Sequence, residues 1–152
     1  MMGQRPKHLK RNNEFPKLTK KNHDVTSDRD ARYNCIAFAY GVTDRKYWPN
    51  FRPDFYWPSD VPHSETLDSF IKLFAKKGYT PCADGKWIEG VEKVALFATA
   101  SGAPKHAAVQ IGENRWASKL GDWWDIEHQE KALDGYFYGS IVQFLERKKL
   151  SS

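Results

Sequence analysis

The sequence predicts an α+β fold in which a short buried helix and a longer amphipathic helix pack on an antiparallel sheet. Three observations carry this. An alanine-containing apolar run opens the domain, a second run spaces its apolar residues as a helix does, and most of the chain beyond residue 90 reads as strands joined by turns.

The first run is Tyr33-Asn34-Cys35-Ile36-Ala37-Phe38-Ala39-Tyr40-Gly41. It is apolar nearly all round, which suits a central core helix. Asn34 is its natural N-cap and Gly41 its C-terminal stop. Residues 43–63 follow, with Trp48-Pro49, Arg52-Pro53, Trp57-Pro58 and Val61-Pro62. That proline density excludes a regular helix or a central strand, so a long, aromatic-decorated loop is expected. Loops of this length within a compact domain are usually functional. Ser64 is expected to cap the second helix, with Glu65 and Asp68 in its first turn. Leu67, Phe70, Ile71 and Phe74 form its apolar stripe, and Gly78 ends it. Residues 93–100 are a continuous apolar run, as in an inner strand. Residues 105–111 and 115–120 flank Gly112-Glu113-Asn114, a good hairpin turn. Residues 125–133 read as one more short helix, ending at Gly135, and residues 140–145 as a closing strand.

The net charge of +5 is concentrated at the start of the chain. Residues 1–23 hold seven Lys or Arg against the single Glu14, and the remainder holds 17 basic and 18 acidic residues. This divides the chain into a basic, flexible arm (1–30), one folded domain (31–147) and a short tail (148–152). An arm of this kind can bind polyanions weakly through residues 1–23. No apolar stretch reaches the ~18 residues of a membrane span. The early positive charges have no apolar run behind them, so no secretory signal is read. The protein is expected to start in the cytoplasm, with any export taking a signal-independent route. The two cysteines then read as thiols rather than a disulfide. Gly85, Gly90 and Gly102 lack the spacing of a phosphate loop, and a nucleotide site is not supported.

The chemistry centres on Cys35 and His106. A cysteine nucleophile works as a thiolate, and both a helix N-terminus and a nearby imidazole favour that form. Cys35 follows the Asn34 cap, where its own N–H and the Asn34 side chain can hold an oxyanion. His106 begins the strand Lys105-His106-Ala107-Ala108-Val109-Gln110-Ile111. Alternation places His106, Ala108 and Gln110 on one face. A three-residue turn at 112–114 pairs position 108 with 118, so Ser118 shares the face of His106 and lies diagonal to it. Cys35, His106 and Ser118 form the candidate catalytic set. Gln110, Asp125 and His128 are the alternatives to Ser118 as the group that orients the imidazole. Trp48 and Trp57 are candidates for substrate binding, with core packing as the other reading. Cys82, after Pro81 in a loop, reads as structural. Cys35, Cys82, His106 and His128 lack the close ligand pairs of a structural zinc site. No metal or cofactor is implied.

A cysteine at the start of a buried helix, followed by a hairpin with histidine on its first strand and a polar residue on its second, resembles the NlpC/P60 and related papain-like peptidases. The stretch from His106 through Ala-Ala-Val-Gln-Ile-Gly-Glu-Asn-Arg-Trp-Ala to Ser118 is similar to that family's histidine strand, turn and third-residue strand. The chain from Tyr33 more closely resembles small bacterial proteins with an Asn-Cys-Ile-Ala helix start and a His-Ala-Ala strand. The resemblance covers roughly residues 31–147. It differs from many peptidoglycan hydrolases in having Asn34 before the cysteine and Ile36-Ala37 after it. It implies a papain-like fold and a cysteine amidohydrolase (peptidase, amidase or deamidase) working through a thioester. The substrate implied is a peptide or cell-wall peptide; deamidation of a protein glutamine is equally open chemistry. Two other readings stand beside it. One is a catalytically silent binding or regulatory module on the same fold. The other is a nucleic-acid-associated protein acting through the basic arm.

Overall fold

The computed structural model describes residues 6–9 and 15–149. Helix α1 (Cys35–Tyr40) starts where the Asn34 side chain accepts the Ala37 N–H at 3.1 Å, and it stops at Gly41 in the left-handed region, φ 88°. Helix α2 (Leu67–Ala75) buries Phe70, Leu73 and Phe74. Its cap is Thr66, not Ser64, and Thr66 receives the Ser69 N–H. Ser64 instead joins a hydroxyl cluster with Thr66 and Ser69 ahead of the first turn.

A seven-stranded antiparallel sheet carries the rest. Its strands are β1 (His23–Val25), β4 (Thr80–Cys82), β5 (Val91–Ala98), β6 (Pro104–Gly112), β7 (Arg115–Lys119), β8 (Asp125–His128) and β9 (Ser140–Lys148), in the spatial order β1-β8-β7-β6-β5-β9-β4. Two short strands in the proline-rich loop, β2 (Lys46–Tyr47) and β3 (Phe55–Tyr56), pair in parallel apart from it. The hairpin register is the expected one, with Val109 opposite Ala117 and Gln110 opposite Trp116. The expected α+β layout, helices on an antiparallel sheet, holds.

The sheet is covered on both faces, and this decides where every site residue points. On one face, Val94, Leu96, Ala107 and Leu145 pack against Cys35, Ile36, Phe70, Leu73 and Phe74 of the two helices. On the other, Ala95, Phe97, Ala108, Trp116 and Ile126 pack under Phe15, Leu18, Leu133 and Tyr138. Alternation along β6 assigns Ala107 to the helix face and His106, Ala108 and Gln110 to the opposite face.

Three expectations are corrected here. Residues 125–128 form strand β8, not the start of a helix. Ile126 and His128 are buried while Asp125 and Glu127 are only half-buried, a period of two that matches the sheet surface and not a helix. The boundary at residue 31 falls too late. Phe15 and Leu18 are buried in the second core, and β1 pairs with β8 in the register His23 opposite His128. Residues 6–9 lie along this edge, where the Lys7 carbonyl accepts the Val25 N–H and the Leu9 N–H donates to His23. The described part of the expected arm thus belongs to the domain, because each buried apolar side chain removes area from water worth roughly 1.5–3 kcal/mol. Arg5, Lys10 and Arg11 fall outside the described residues. At the other end, β9 runs to Lys148, the first residue of the expected tail. The third correction concerns Trp57. It is buried against Phe70, and its indole N–H donates to the Pro62 carbonyl. The loop folds Trp57 and Trp48 onto Phe70 of α2, while Phe51 and Tyr56 stay exposed. No helix among the described residues is long and apolar enough to cross a membrane.

Candidate functional site

Cys35 opens α1 on the helix face of β6. Its sulfur lies 3.9 Å from the Lys105 carbonyl oxygen and near the Ala107 N–H, against the main chain on both sides of His106. The β6–β7 ladder runs from Gly112–Arg115 to Val109–Ala117, so the thiol meets β6 beyond its end. Burial pushes the Cys35 pKa up to about 12. The N–H groups of Ala107, Ile36 and Cys35 itself act in the opposite direction and less strongly. Desolvation penalises the charged form more than three oriented dipoles support it, so the resting thiol is neutral.

His106 lies on the same strand but on the opposite face. Its ring stacks on Tyr138, with centroids 4.0 Å apart and planes 9° from parallel, and meets Phe97 edge-on at 5.1 Å. Its Nε2 is 2.9 Å from the Ser118 hydroxyl oxygen, so the diagonal contact expected from the hairpin register is present. Ser118 is in turn 2.7 Å from Nε2 of His128, and Nδ1 of His128 is 2.7 Å from the Gln129 carbonyl oxygen. His106 Nδ1 is buried without a hydrogen-bond partner among the described residues. Burial, and then the neighbouring His128, hold the His106 pKa well below its ordinary value. Burial likewise brings His128 down to about 4.

The structure therefore joins His106, Ser118 and His128 but not His106 and Cys35. No hydrogen bond links the thiol and the imidazole, and the expected thiolate–imidazolium pair is replaced by two neutral groups. The reason is the double coverage of the sheet. The helix face carries Cys35, the other face carries the imidazole, and β6 runs between them.

The remaining candidates are placed as follows. Asn34 has its amide engaged by Tyr47 through both of its atoms, with Oδ1 accepting the Tyr47 N–H and Nδ2 donating to the Tyr47 carbonyl. It ties α1 to β2 and is not a free oxyanion donor. Gln110 donates to the Gly85 carbonyl, away from His106 along the strand. Asp125 accepts the Tyr33 hydroxyl on the helix face, where Lys119, opposite it in register, lies over the Tyr33 ring. Neither orients His106. Trp48 is half-buried, edge-on to Phe70, with its indole N–H on Glu65. Cys82 is half-buried, its thiol directed to the Asp84 carbonyl.

Sequence reasoning missed Tyr138 and His23. Tyr138 stacks on His106 and also lines a cleft of about 240 Å³ with Phe15, Leu120, Trp123 and Phe137. His23, on β1, faces His128 across the sheet. Its alternation with Val25 was the available signal; nothing local marks Tyr138.

Residues 24–146 match the family model described as a domain of unknown function, DUF7689. No curated protein and no solved structure matches the chain.

Proposed function

We propose that this protein, which belongs to the DUF7689 family, is a papain-like cysteine amidohydrolase whose nucleophile is Cys35 and whose base is His106. One observation supports this above the others. The Cys35 sulfur sits against the main chain on both sides of His106, while the imidazole is held through Nε2 and keeps Nδ1 unpartnered. Nδ1 would take the thiol proton as sulfur bonds to the amide carbonyl carbon. The same nitrogen would return the proton to the departing amine, and water would then hydrolyse the thioester to the acid. The Cys35 N–H would face the developing oxyanion. Both groups rest neutral, so proton transfer would accompany attack, and Nδ1 must first reach the sulfur past the end of the β6–β7 ladder. The cleft walled by Trp123, Phe137 and Tyr138, on the His106 side of the sheet, offers flat apolar surface for a peptide or cell-wall peptide, in place of Trp48 and Trp57, and the reacting amide would have to reach Cys35 round the same end of β6.

A second reading, a silent binding or regulatory module, is favoured by the placement of the two side chains on opposite faces. One experiment separates them. Cell-wall peptides and glutamine-containing peptides are incubated with the wild type, Cys35→Ser and His106→Ala, and products are read by mass spectrometry. Hydrolysis by the wild type, lost in both variants, supports the enzyme. No turnover by the wild type, or equal turnover in all three, overturns it.

A further inference from the structure

We propose that His128 is a positioning residue that sets the tautomer of His106 through the Ser118 hydroxyl, so that Nδ1 of His106 is its proton-accepting atom. The inference rests on the hydrolase reading for its consequence, but its geometry stands apart from it.

The contacts run along the sheet face that carries Trp116 and Ile126, from β8 through β7 to β6. A carbonyl oxygen can only accept, so the 2.7 Å contact between His128 Nδ1 and the Gln129 carbonyl places a proton on Nδ1. His128 is buried and neutral, which leaves its Nε2 as an acceptor. Ser118 has one hydroxyl proton, and at 2.7 Å it is donated to that nitrogen. The Ser118 oxygen is then an acceptor for its other neighbour, 2.9 Å away, so Nε2 of His106 carries its ring proton. A neutral imidazole with Nε2–H has a bare lone pair on Nδ1, and Nδ1 is the buried atom without a partner. The reverse tautomer would set the acceptor nitrogens of His106 and His128 against one hydroxyl proton and leave a buried N–H orphaned, which costs roughly 1–3 kcal/mol.

His23 bounds the array at its far end. Its Nδ1 faces the Thr19 carbonyl at 2.6 Å and its Nε2 accepts the Leu9 N–H at 2.8 Å, so its neutral form is fully satisfied and it draws no proton from His128. The order of protons is therefore set from β8, and the direction of the array ends on Nδ1 of His106. Tyr138, stacked on the ring, restrains its plane.

The test is the tautomer itself, read by nitrogen-15 NMR on histidine-labelled protein, which needs no substrate. The full chain is expected to show His106 with Nε2 protonated and Nδ1 bare. His128→Phe removes the acceptor for the Ser118 proton, so either tautomer then leaves one buried donor unpaired, the preference for Nε2–H is lost and the Nδ1–H form is expected to appear beside it. His128→Gln restores an acceptor and the Nε2–H form. Hydrolysis, where the wild type performs it, is expected to fall in His128→Phe in step with the Nδ1–H population and to recover in His128→Gln. A wild-type His106 carrying its proton on Nδ1 overturns the proposal without any variant, as does a folded His128→Phe protein whose His106 tautomer is unmoved. An Nε2–H tautomer in a protein with no turnover leaves the array standing and removes the hydrolase reading instead.

Discussion

The Cys35 sulfur stands 3.9 Å from the Lys105 carbonyl oxygen, closed in by the strand that carries His106. With its pKa pushed up to about 12 by burial, Cys35 carries little thiolate at pH 8. Alkylation of native Cys35 by iodoacetamide is expected to be slow from pH 5 to 8, with the half-buried Cys82 reacting first. In denaturant the two should react alike. Peptide mapping of the adducts checks this. Fast labelling of Cys35 at mildly acidic pH would show that the thiol and imidazole do meet as an ion pair.

Acid should weaken the fold before carboxylates titrate. Burial lowers the pKa of His128, His106 and His23. Each is neutral in the folded state at a pH where the unfolded chain has begun to bind a proton. Their contribution is therefore complete above about pH 6.5 and is lost as pH falls towards the folded values. For His128, between 6.5 and about 4, the loss is on the order of 3 kcal/mol. Asp125 and Asp134, which burial raises, act in the opposite sense at lower pH. Urea midpoints should fall steeply between pH 6.5 and 4.5. A flat profile over that range would mean that these rings are solvated.

Deleting residues 1–23 should destabilise the domain, because Phe15, Leu18 and His23 are buried. Phe15→Ala and Leu18→Ala are each expected to cost about 2–5 kcal/mol. Denaturant melts of the full chain with each single change provide the measurement, and values within 0.5 kcal/mol of the wild type, roughly the range of surface substitutions, would restore the dispensable arm.

The two loop tryptophans should separate by stability. Trp57→Ala is expected to cost about 3–5 kcal/mol as a core truncation, and Trp48→Ala clearly less, since Trp48 is half-buried. Equal costs in thermal or urea melts would contradict the difference in burial.

Gly139 has φ 77°, and a Cβ there would overlap the Ala98 carbonyl across the β5–β9 pair. Gly139→Ala is expected to destabilise by more than about 1 kcal/mol, through both the backbone and the collision. An unchanged melting temperature would show that β9 can shift to admit the methyl group.

Much of this molecule was legible in its residues, for local reasons. Asn34 and Gly41 mark α1, the α2 stripe is visible at helical spacing, and the expected hairpin register brings Ser118 to His106, reached through a turn at 113–114 and a register shift before Gly112 rather than a three-residue turn. What was illegible depended on layers. A sheet with one wet face would have shown polar residues opposite the core, but β6 carries Ala107 on one face and Ala108 on the other, both buried. Alternation therefore showed that His106 and Ala107 point apart without showing which of them α1 would cover. Asp125 looked like a helix cap because its true partners, Tyr33 and Ser27, lie more than 90 residues away. Phe15 and Leu18 were isolated apolar residues in a basic segment, and only the second core gives them a use.

The position of β9 has a consequence for the order in which the chain can assemble. The last strand in sequence lies between β5 and β4, and the first pairs with β8, near the far end of the chain. During synthesis the hairpin of β6 and β7 can close early, but β5 keeps one open edge and β4 has no strand partner until residues 140–148 have left the ribosome. Pairings this distant make for slow closure, and the late step is the one that completes the sheet around both layers of side chains.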